Sequence, residues 1–432
     1  MKFASTRDAG SRTDLSTALI AGLAGDGGLH VPSTLPRFTP ADFAADDSIA
    51  GVAARLLQPF FEGDPLADEL IAICAEAFDF PAPLKPLPVG QTHLLELFHG
   101  PTAAFKDFGA RFLAGCMQRL RTSVDAPLTI LVATSGDTGA AVAAAFHGLA
   151  NLRVVVLYPE GRVSPRQAHQ LGCFGNNITA LRVTGSFDDC QRLVKQALSD
   201  RELQADVALS SANSISLGRL LPQMAYYAHS ALGHWRRTGA PLGFVIPTGN
   251  LGNALAAILA RACGLPIGEI ALATNANRVL AQFFAGANYA PMPSVATLAN
   301  AMDVGAPSNF ERLRWLYPDD HALRAAFAVH AIDDTTIRET IRNGLQGLGE
   351  IFCPHTACAV AALEKLRRGG ATQDWAIVST AHPAKFEQIV EPLVGRVVPP
   401  PKALADLLDR PAYAEPMASD YAALCTFLRR RE

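Results

Sequence analysis

A single lysine, Lys106, stands between aromatic residues after a Gly-Pro turn, in the run His99-Gly100-Pro101-Thr102-Ala103-Ala104-Phe105-Lys106-Asp107-Phe108-Gly109. A lysine amine becomes a nucleophile when desolvation or neighbouring charge lowers its pKa, and condensation with a carbonyl to a Schiff base needs such an amine. An isolated lysine is more often a surface ammonium on a snorkelling stem, and the flanking Phe105 and Phe108 argue against that. The run Thr248-Gly249-Asn250-Leu251-Gly252-Asn253 follows an apolar stretch and opens a helix. Successive amides at a helix N-terminus make a phosphate cradle, and the glycines allow close approach. It is neither a dinucleotide fingerprint nor a Walker loop.

Three further segments carry hydroxyls or donors in similar places. Ser135-Gly136-Asp137-Thr138-Gly139 suits a carboxylate or phosphate, or reads as a helix cap made by Ser135 or Asp137. Asn213 and Ser214, with Arg219 about a turn and a half further on, suit a phosphate monoester, or read as a cap with a solvated arginine. Thr380, after the last apolar run, offers a hydroxyl to a ring nitrogen, or belongs to a plain turn before Pro383.

These segments must be held by something, and the apolar runs supply it. Residues 128–133, 153–158, 178–183, 243–247, 270–274 and 375–380 are nearly continuously apolar, as strands covered on both faces are. Each leads to a Gly-rich turn or a small-residue helix, the rhythm of an open parallel α/β sheet, whose ligands sit beyond the carboxyl ends of the strands. Before about residue 80 the pattern is helical, over 48–61 and 66–78, and a Pro-rich connector follows at 81–88. After Phe386 a second Pro run, 398–402, leads into a mainly helical tail that reads as peripheral.

A Schiff-base lysine, a phosphate cradle, a carboxylate-type loop and a hydroxyl at a strand end together describe a pyridoxal-phosphate site. The same motifs carry a resemblance. From Ser5-Thr6-Arg7 and Gly25-Asp26-Gly27-Gly28-Leu29-His30-Val31-Pro32, through the segments around Lys106, Asp137, Asn213 and Gly249, to Ala301-Met302-Asp303-Val304-Gly305-Ala306-Pro307-Ser308-Asn309-Phe310 and Thr380-Ala381-His382-Pro383-Ala384-Lys385-Phe386, the chain resembles the long bacterial and fungal threonine synthases almost end to end.

The resemblance implies a fold-type II, tryptophan synthase β-like architecture: two open α/β domains around the cofactor plus an N-terminal domain. It divides the chain into an N-terminal domain at 1–90, a large cofactor-binding domain at 91–125 and 236–385, a small α/β domain at 126–235 and a C-terminal helical tail at 386–432. It further implies that Lys106 carries pyridoxal 5'-phosphate, that Gly249, Asn250, Leu251, Gly252 and Asn253 hold its phosphate, and that Thr380 meets its ring nitrogen. Ser135 and Thr138 would meet the substrate carboxylate or phosphate, and Asn213, Ser214, Arg219 and Asn253 would grip the substrate phosphate. Asp137 falls near the cofactor's phenolic oxygen, where an acid repels unless protonated or turned away. The implied reaction is the conversion of O-phospho-L-homoserine and water to L-threonine and phosphate, the last step of threonine biosynthesis. Two rivals are a serine/threonine dehydratase-like lyase of the same fold type, which needs no γ-phosphate site, and a non-catalytic binder of a phosphorylated metabolite, which would tolerate loss of the lysine.

The bulk numbers agree with a small-molecule enzyme. The 432 residues are 49% hydrophobic and 18% charged, enough to bury a large core, and 37 basic against 40 acidic side chains leave a net charge of -3. No strong field recruits nucleic acid or an anionic membrane, and no apolar run is long enough to span one. The reading is therefore cytoplasmic, and monomeric because no extended apolar interface pattern is legible. Eight cysteines scattered among apolar residues read as reduced buried thiols. Cys353-Pro354-His355-Thr356-Ala357-Cys358 lacks a second ligand pair at zinc-like spacing, so it reads as a loop entering a helix and no metal is expected.

Overall fold

The computed structural model describes residues 1–45, 47–121 and 127–430. Thirteen strands are found among them: β1 (Phe3–Ser5), β2 (His30–Pro32), β3 (Leu84–Pro86), β4 (Thr92–Glu96), β5 (Leu128–Ala133), β6 (Leu152–Pro159), β7 (Ile178–Thr184), β8 (Leu209–Ser211), β9 (Leu242–Pro247), β10 (Ile267–Thr274), β11 (Ala328–Ala331), β12 (Trp375–Ser379) and β13 (Glu415–Ala418). They form a β1-β2 pair and two larger sheets, in the orders β11-β10-β9-β12-β4-β3 and β13-β7-β6-β5-β8. Every pairing in the larger sheets is parallel except β3 with β4.

The six apolar runs are the centres of these sheets, and β5, β9 and β12 are buried at every residue. Helices on both faces exclude water, which is why no polar alternation marks these strands. The N-terminal helix Ile49–Phe61 forms as expected, capped by Ser48. The second expected helix divides into a 3-10 turn at Ala67–Glu69 and a helix at Leu70–Ala77.

Two boundaries differ from the sequence reading. Strand β3 lies before residue 90 yet pairs with β4, so the large sheet begins inside the segment read as N-terminal. The division at 125/126 lies outside the described residues. The tail is not peripheral: β13 extends the five-stranded sheet beside β7, and Leu424, Cys425, Phe427 and Leu428 share a core with Leu181 and Val183. A four-residue strand containing Pro416 carries too little β signal to be read, and its edge position is where a proline is tolerated. All eight cysteines are buried free thiols, and no helix among the described residues is long and apolar enough to cross a membrane.

Candidate active site

The carboxyl ends of both large sheets face one cleft of about 1150 Å³, including its open mouth, lined by Lys106, Ser135, Asp137, Thr138, the 248–253 loop and Thr380 among others. Lys106 opens the helix Lys106–Leu120. The turn before it is tightened by Asp107, which accepts from the Thr102 amide at 2.9 Å and the Thr102 hydroxyl at 2.6 Å. That turn is then zipped to the segment after β12: the Phe105 amide donates to the Thr380 carbonyl at 2.8 Å and the His382 amide to the Ala103 carbonyl at 3.0 Å. Backbone bonds therefore hold Lys106 and Thr380 side by side, although 274 residues separate them in the chain.

The charges around Lys106 are few and buried. Asp137 Oδ2 lies 3.7 Å from Lys106 Nζ, and Asp137 Oδ1 lies 2.9 Å from Lys385 Nζ and accepts from Gln167 Nε2 at 3.0 Å. Burial raises the Asp137 carboxyl, but Lys385, Lys106 and His355 outweigh it and leave the group well below the usual carboxylate range. Lys106 is lowered, first by burial and then by Lys385 and Arg219, with Asp137 opposing. Asp137 is thus held ionised, where the resemblance implied an acid either protonated or turned away. A buried lysine compensates it.

Neither Ser135 nor Asp137 caps the helix Asp137–Phe146. Thr134 Oγ1 accepts from the amides of Gly136 and Gly139 at 3.0 and 2.9 Å, which leaves Ser135 and Thr138 to line the cleft. Gly136 has φ +127°, and a Cβ there would meet Gln167 at 2.6 Å, so glycine is needed beside the Asp137 partner.

At the other end of the cleft the 248–253 loop turns into the helix Gly252–Ala262 through Leu251, whose φ of +62° is left-handed. The first helical bond runs from the Leu255 amide to the Leu251 carbonyl, so the amides of the turn ahead of it have no helical acceptor. A Cβ on Gly249 would lie 2.7 Å from the Met302 backbone, so this cradle can form only around glycine. Asn309 donates to the carbonyls of Ser214 and Asn250 at 3.1 Å each, and Asn250 Nδ2 donates to Ser214 Oγ at 2.6 Å. These bonds bring the 213–216 and 248–253 loops together.

Arg219 is 2% exposed and donates from Nη1 to the Ala212 carbonyl at 2.6 Å, while its Nε has no acceptor. Burial pulls its guanidinium down to about 10, against Asp107 and Tyr226, so it stays charged at neutral pH. Asn253 Oδ1 accepts from the hydroxyls of Tyr226 and Tyr227 at 2.5 and 2.8 Å, and Asn253 Nδ2 has no partner. Both residues line the cleft. Asn213 is different: its Nδ2 donates to the Ala133 carbonyl at 2.7 Å and its Oδ1 accepts from the Ala133 amide at 3.2 Å, so its side chain is committed to the end of β5.

The residues fit pyridoxal phosphate. A largely buried amine, a glycine-dependent amide cradle and a strand-end hydroxyl share one enclosed space, and the one nearby carboxylate is neutralised from behind. Sequence reasoning gave no site role to Lys385, Gln167 or His355. Lys385 and His355 lie more than 200 residues from their common partner Asp137. No short-range signal could pair them. His355 accepts from the Ala301 amide at 3.0 Å, and burial pushes its imidazole down to about 4, with Asp137 opposing and Lys106 and Lys385 assisting. Among the described residues no group of His, Cys, Asp or Glu is arranged to hold a metal ion.

Comparison with known proteins supplies the same class. Residues 82–383 match the family described as pyridoxal-phosphate dependent enzyme, which with the two facing parallel sheets defines a fold-type II enzyme of that cofactor. Residues 2–78 match the threonine synthase N terminus and 356–428 the threonine synthase C-terminal family. The chain is 39% identical over 427 residues to the threonine synthase of Escherichia coli strain K12, covering 98% of each. It superposes on the crystal structure of threonine synthase from Escherichia coli with a TM-score of 0.91 at 38% identity, and on the pyridoxal-phosphate-bound threonine synthase from Brucella melitensis with a TM-score of 0.88 at 33% identity, covering 99% of each chain in both cases. The chain belongs to the threonine synthase family.

Proposed function

We propose that this cleft converts O-phospho-L-homoserine and water to L-threonine and phosphate, with Lys106 as the cofactor-bearing residue and proton carrier. When bound, pyridoxal phosphate supplies the electron sink that acidifies the substrate carbons next to its amino group. The amides of Gly249, Asn250, Leu251, Gly252 and Asn253 would hold its phosphate, and the Thr380 hydroxyl its ring nitrogen. A neutral hydroxyl there leaves that nitrogen largely unprotonated.

Lys106 Nζ takes the Cα proton and returns it, a task for which a lowered amine pKa suits it. Ser135 and Thr138 receive the substrate carboxylate at the mouth of their helix. Arg219 and Asn253, with the Ser214 hydroxyl, receive the γ-phosphate. Asn213 lines the same cleft and holds the β5 end in register.

The observation that carries this reading is the pair of buried donors, Arg219 Nε and Asn253 Nδ2, that lack a protein acceptor in the same cleft as Lys106. Unpaired buried donors are costly, and a phosphate dianion satisfies both. A dehydratase would leave them idle. Two α/β units around the cleft go with this reading, the large one taking in β3 and the small one β13 of the tail. So does a monomeric state, since the exposed large apolar side chains among the described residues, Ile71, Val89, Met292, Val295, Val397 and Tyr413, are spread over five segments of the chain.

The test is direct. Protein reconstituted with cofactor and reduced with borohydride should be tagged at Lys106, and O-phospho-L-homoserine should yield threonine and phosphate in equal amounts while serine and threonine stay unchanged. Ammonia released from serine or threonine, with no phosphate from phosphohomoserine, would sink the proposal in favour of a dehydratase.

A further inference from the structure

Lys385 has no exposed side-chain surface, and nothing in the reaction above requires it. It lies on the 3-10 turn Pro383–Phe386 after β12. Its ammonium donates to the Thr102 carbonyl at 2.7 Å and meets Asp137 Oδ1 at 2.9 Å. The turn is fixed from the other sheet, since the Ser164 hydroxyl donates to the Lys385 carbonyl at 2.7 Å and Arg166 to the Ala384 carbonyl at 2.5 Å. A buried cation is costly unless fully paired, so a fold that holds one this firmly has a use for it.

The use follows from what Asp137 would otherwise do. Its carboxylate is faced by Lys385 from that turn, Lys106 from the helix Lys106–Leu120, Gln167 from the helix Pro165–Gly172 and His355 from the helix Pro354–Arg368. Lys106 is faced also by Arg219 from the helix Leu217–Leu220, and Asp107 lies within the influence of Lys385. Of the two lysines, Lys385 is close enough for a hydrogen bond to Asp137, and Lys106, at 3.7 Å, is not. Without the first, the second is the only ammonium left to close on a carboxylate in a medium of low effective dielectric.

We propose that Lys385 is a positioning residue that holds Asp137 back from Lys106, so that the Lys106 amine stays unprotonated and free to capture the cofactor and to take a substrate proton. The proposal rests on the reading of Lys106 as the cofactor lysine. Burial is the first cause that lowers Lys106, and of the two partners discussed here Asp137 raises it and Lys385 lowers it, which agrees in direction.

The experiment uses the full chain freed of cofactor. Trace acetylation between about pH 6 and about pH 10, read at Lys106 by peptide mass spectrometry, gives the midpoint at which its amine becomes reactive. Lys385→Met is expected to raise that midpoint by about one unit, or roughly tenfold less labelling at neutral pH. Lys385→Arg should stay near the parent and Asp137→Asn should fall below it. In an Asp137→Asn background the shift caused by Lys385→Met should be less than half as large, since there is no carboxylate to release. If Lys385→Met does not fold, Lys385→Gln, which still donates to Asp137 without charge, takes its place. An unmoved midpoint, or the same shift with and without Asp137, overturns the proposal. Failure of borohydride tagging at Lys106 in the parent would instead overturn the reading beneath it, and the labelling curves would still report the pair.

Discussion

At one end of the cleft Asp137 lies between Lys385 and Lys106 and takes a further bond from Gln167; at the other, Arg219 and Asn253 each keep a buried donor without an acceptor. The first end is satisfied before any ligand arrives. Its charges cancel within the protein, and their work is to set the protonation state of an amine. The second end is incomplete alone. Its buried donors await an acceptor, and on the proposed reading that acceptor is the phosphate that serine and threonine lack.

The comparison breaks most visibly at Arg219. Arg219→Ala should lower kcat/KM for O-phospho-L-homoserine by about 10²- to 10³-fold, the roughly 3–4 kcal/mol expected when a buried charge-assisted partner of an anion is removed. The loss should lie mainly in KM, because ground state and transition state carry the same phosphate until it leaves. The guanidinium has no counter-ion within salt-bridge distance among the described residues, but truncation empties a fully buried site and releases the Ala212 carbonyl, so the melting temperature should fall as well. Steady-state kinetics beside a melting curve check both, and an unchanged KM would mean that the unpaired end binds something other than substrate phosphate.

The paired end is probed by pH. His355 binds a proton near 6.5 when unfolded and near 4 when folded, because burial disfavours the imidazolium. Between those values the unfolded chain holds more protons, so stability present above pH 6.5 is lost as pH falls towards 4, by up to about 3 kcal/mol. His382, also lowered to about 4, acts in the same direction. Asp303 opposes them: raised to about 6 by burial, it stabilises most below its unfolded value of 3.8 and loses that contribution as pH rises to 6. His355→Gln keeps an acceptor for the Ala301 amide and removes the titration. Urea unfolding at several pH values should show a shallower fall below pH 6.5 in the variant, and an unaltered slope would mean that His355 charges freely in the fold.

The two ends were also unequally legible. Lys106, the 248–253 loop and Thr380 are legible because each follows an apolar strand or a Gly-Pro turn, so local pattern and site position coincide, whereas Arg219 is legible only through the polar Asn213-Ser214 run ahead of its helix. The Asp137 motif was equally visible, but its meaning was not, since Lys385 lies 248 residues further on in an apolar stretch. The bonds from Asn213 to the Ala133 backbone are not legible in the sequence, because polar residues beside a strand end look alike whatever they face. The six central strands showed themselves through continuous apolar character, whereas β3, β8, β11 and β13 are three or four residues long, too short to show a period. Their assignment depends on partners in the sheet, which a linear reading does not contain.

The smallest change sharpens the unpaired end. Two hydroxyls, from Tyr226 and Tyr227, fix Asn253 Oδ1 and so turn Nδ2 toward the cleft. Tyr226→Phe removes one of them, the same hydroxyl that lies 3.2 Å from Gln223 Oε1, and Gln223 Nε2 in turn donates to the Arg219 carbonyl at 2.5 Å. Because Tyr227 still holds the amide, the cost should be about 1 kcal/mol, a rise of roughly fivefold in KM with kcat nearly unchanged. Inhibition by inorganic phosphate should weaken by the same factor, since it needs the same donors and none of the chemistry near Lys106. Phosphate inhibition left at the parent value while KM rises would show that Asn253 orients another part of the substrate, and the contrast between a paired and an unpaired end would then rest on Arg219 alone.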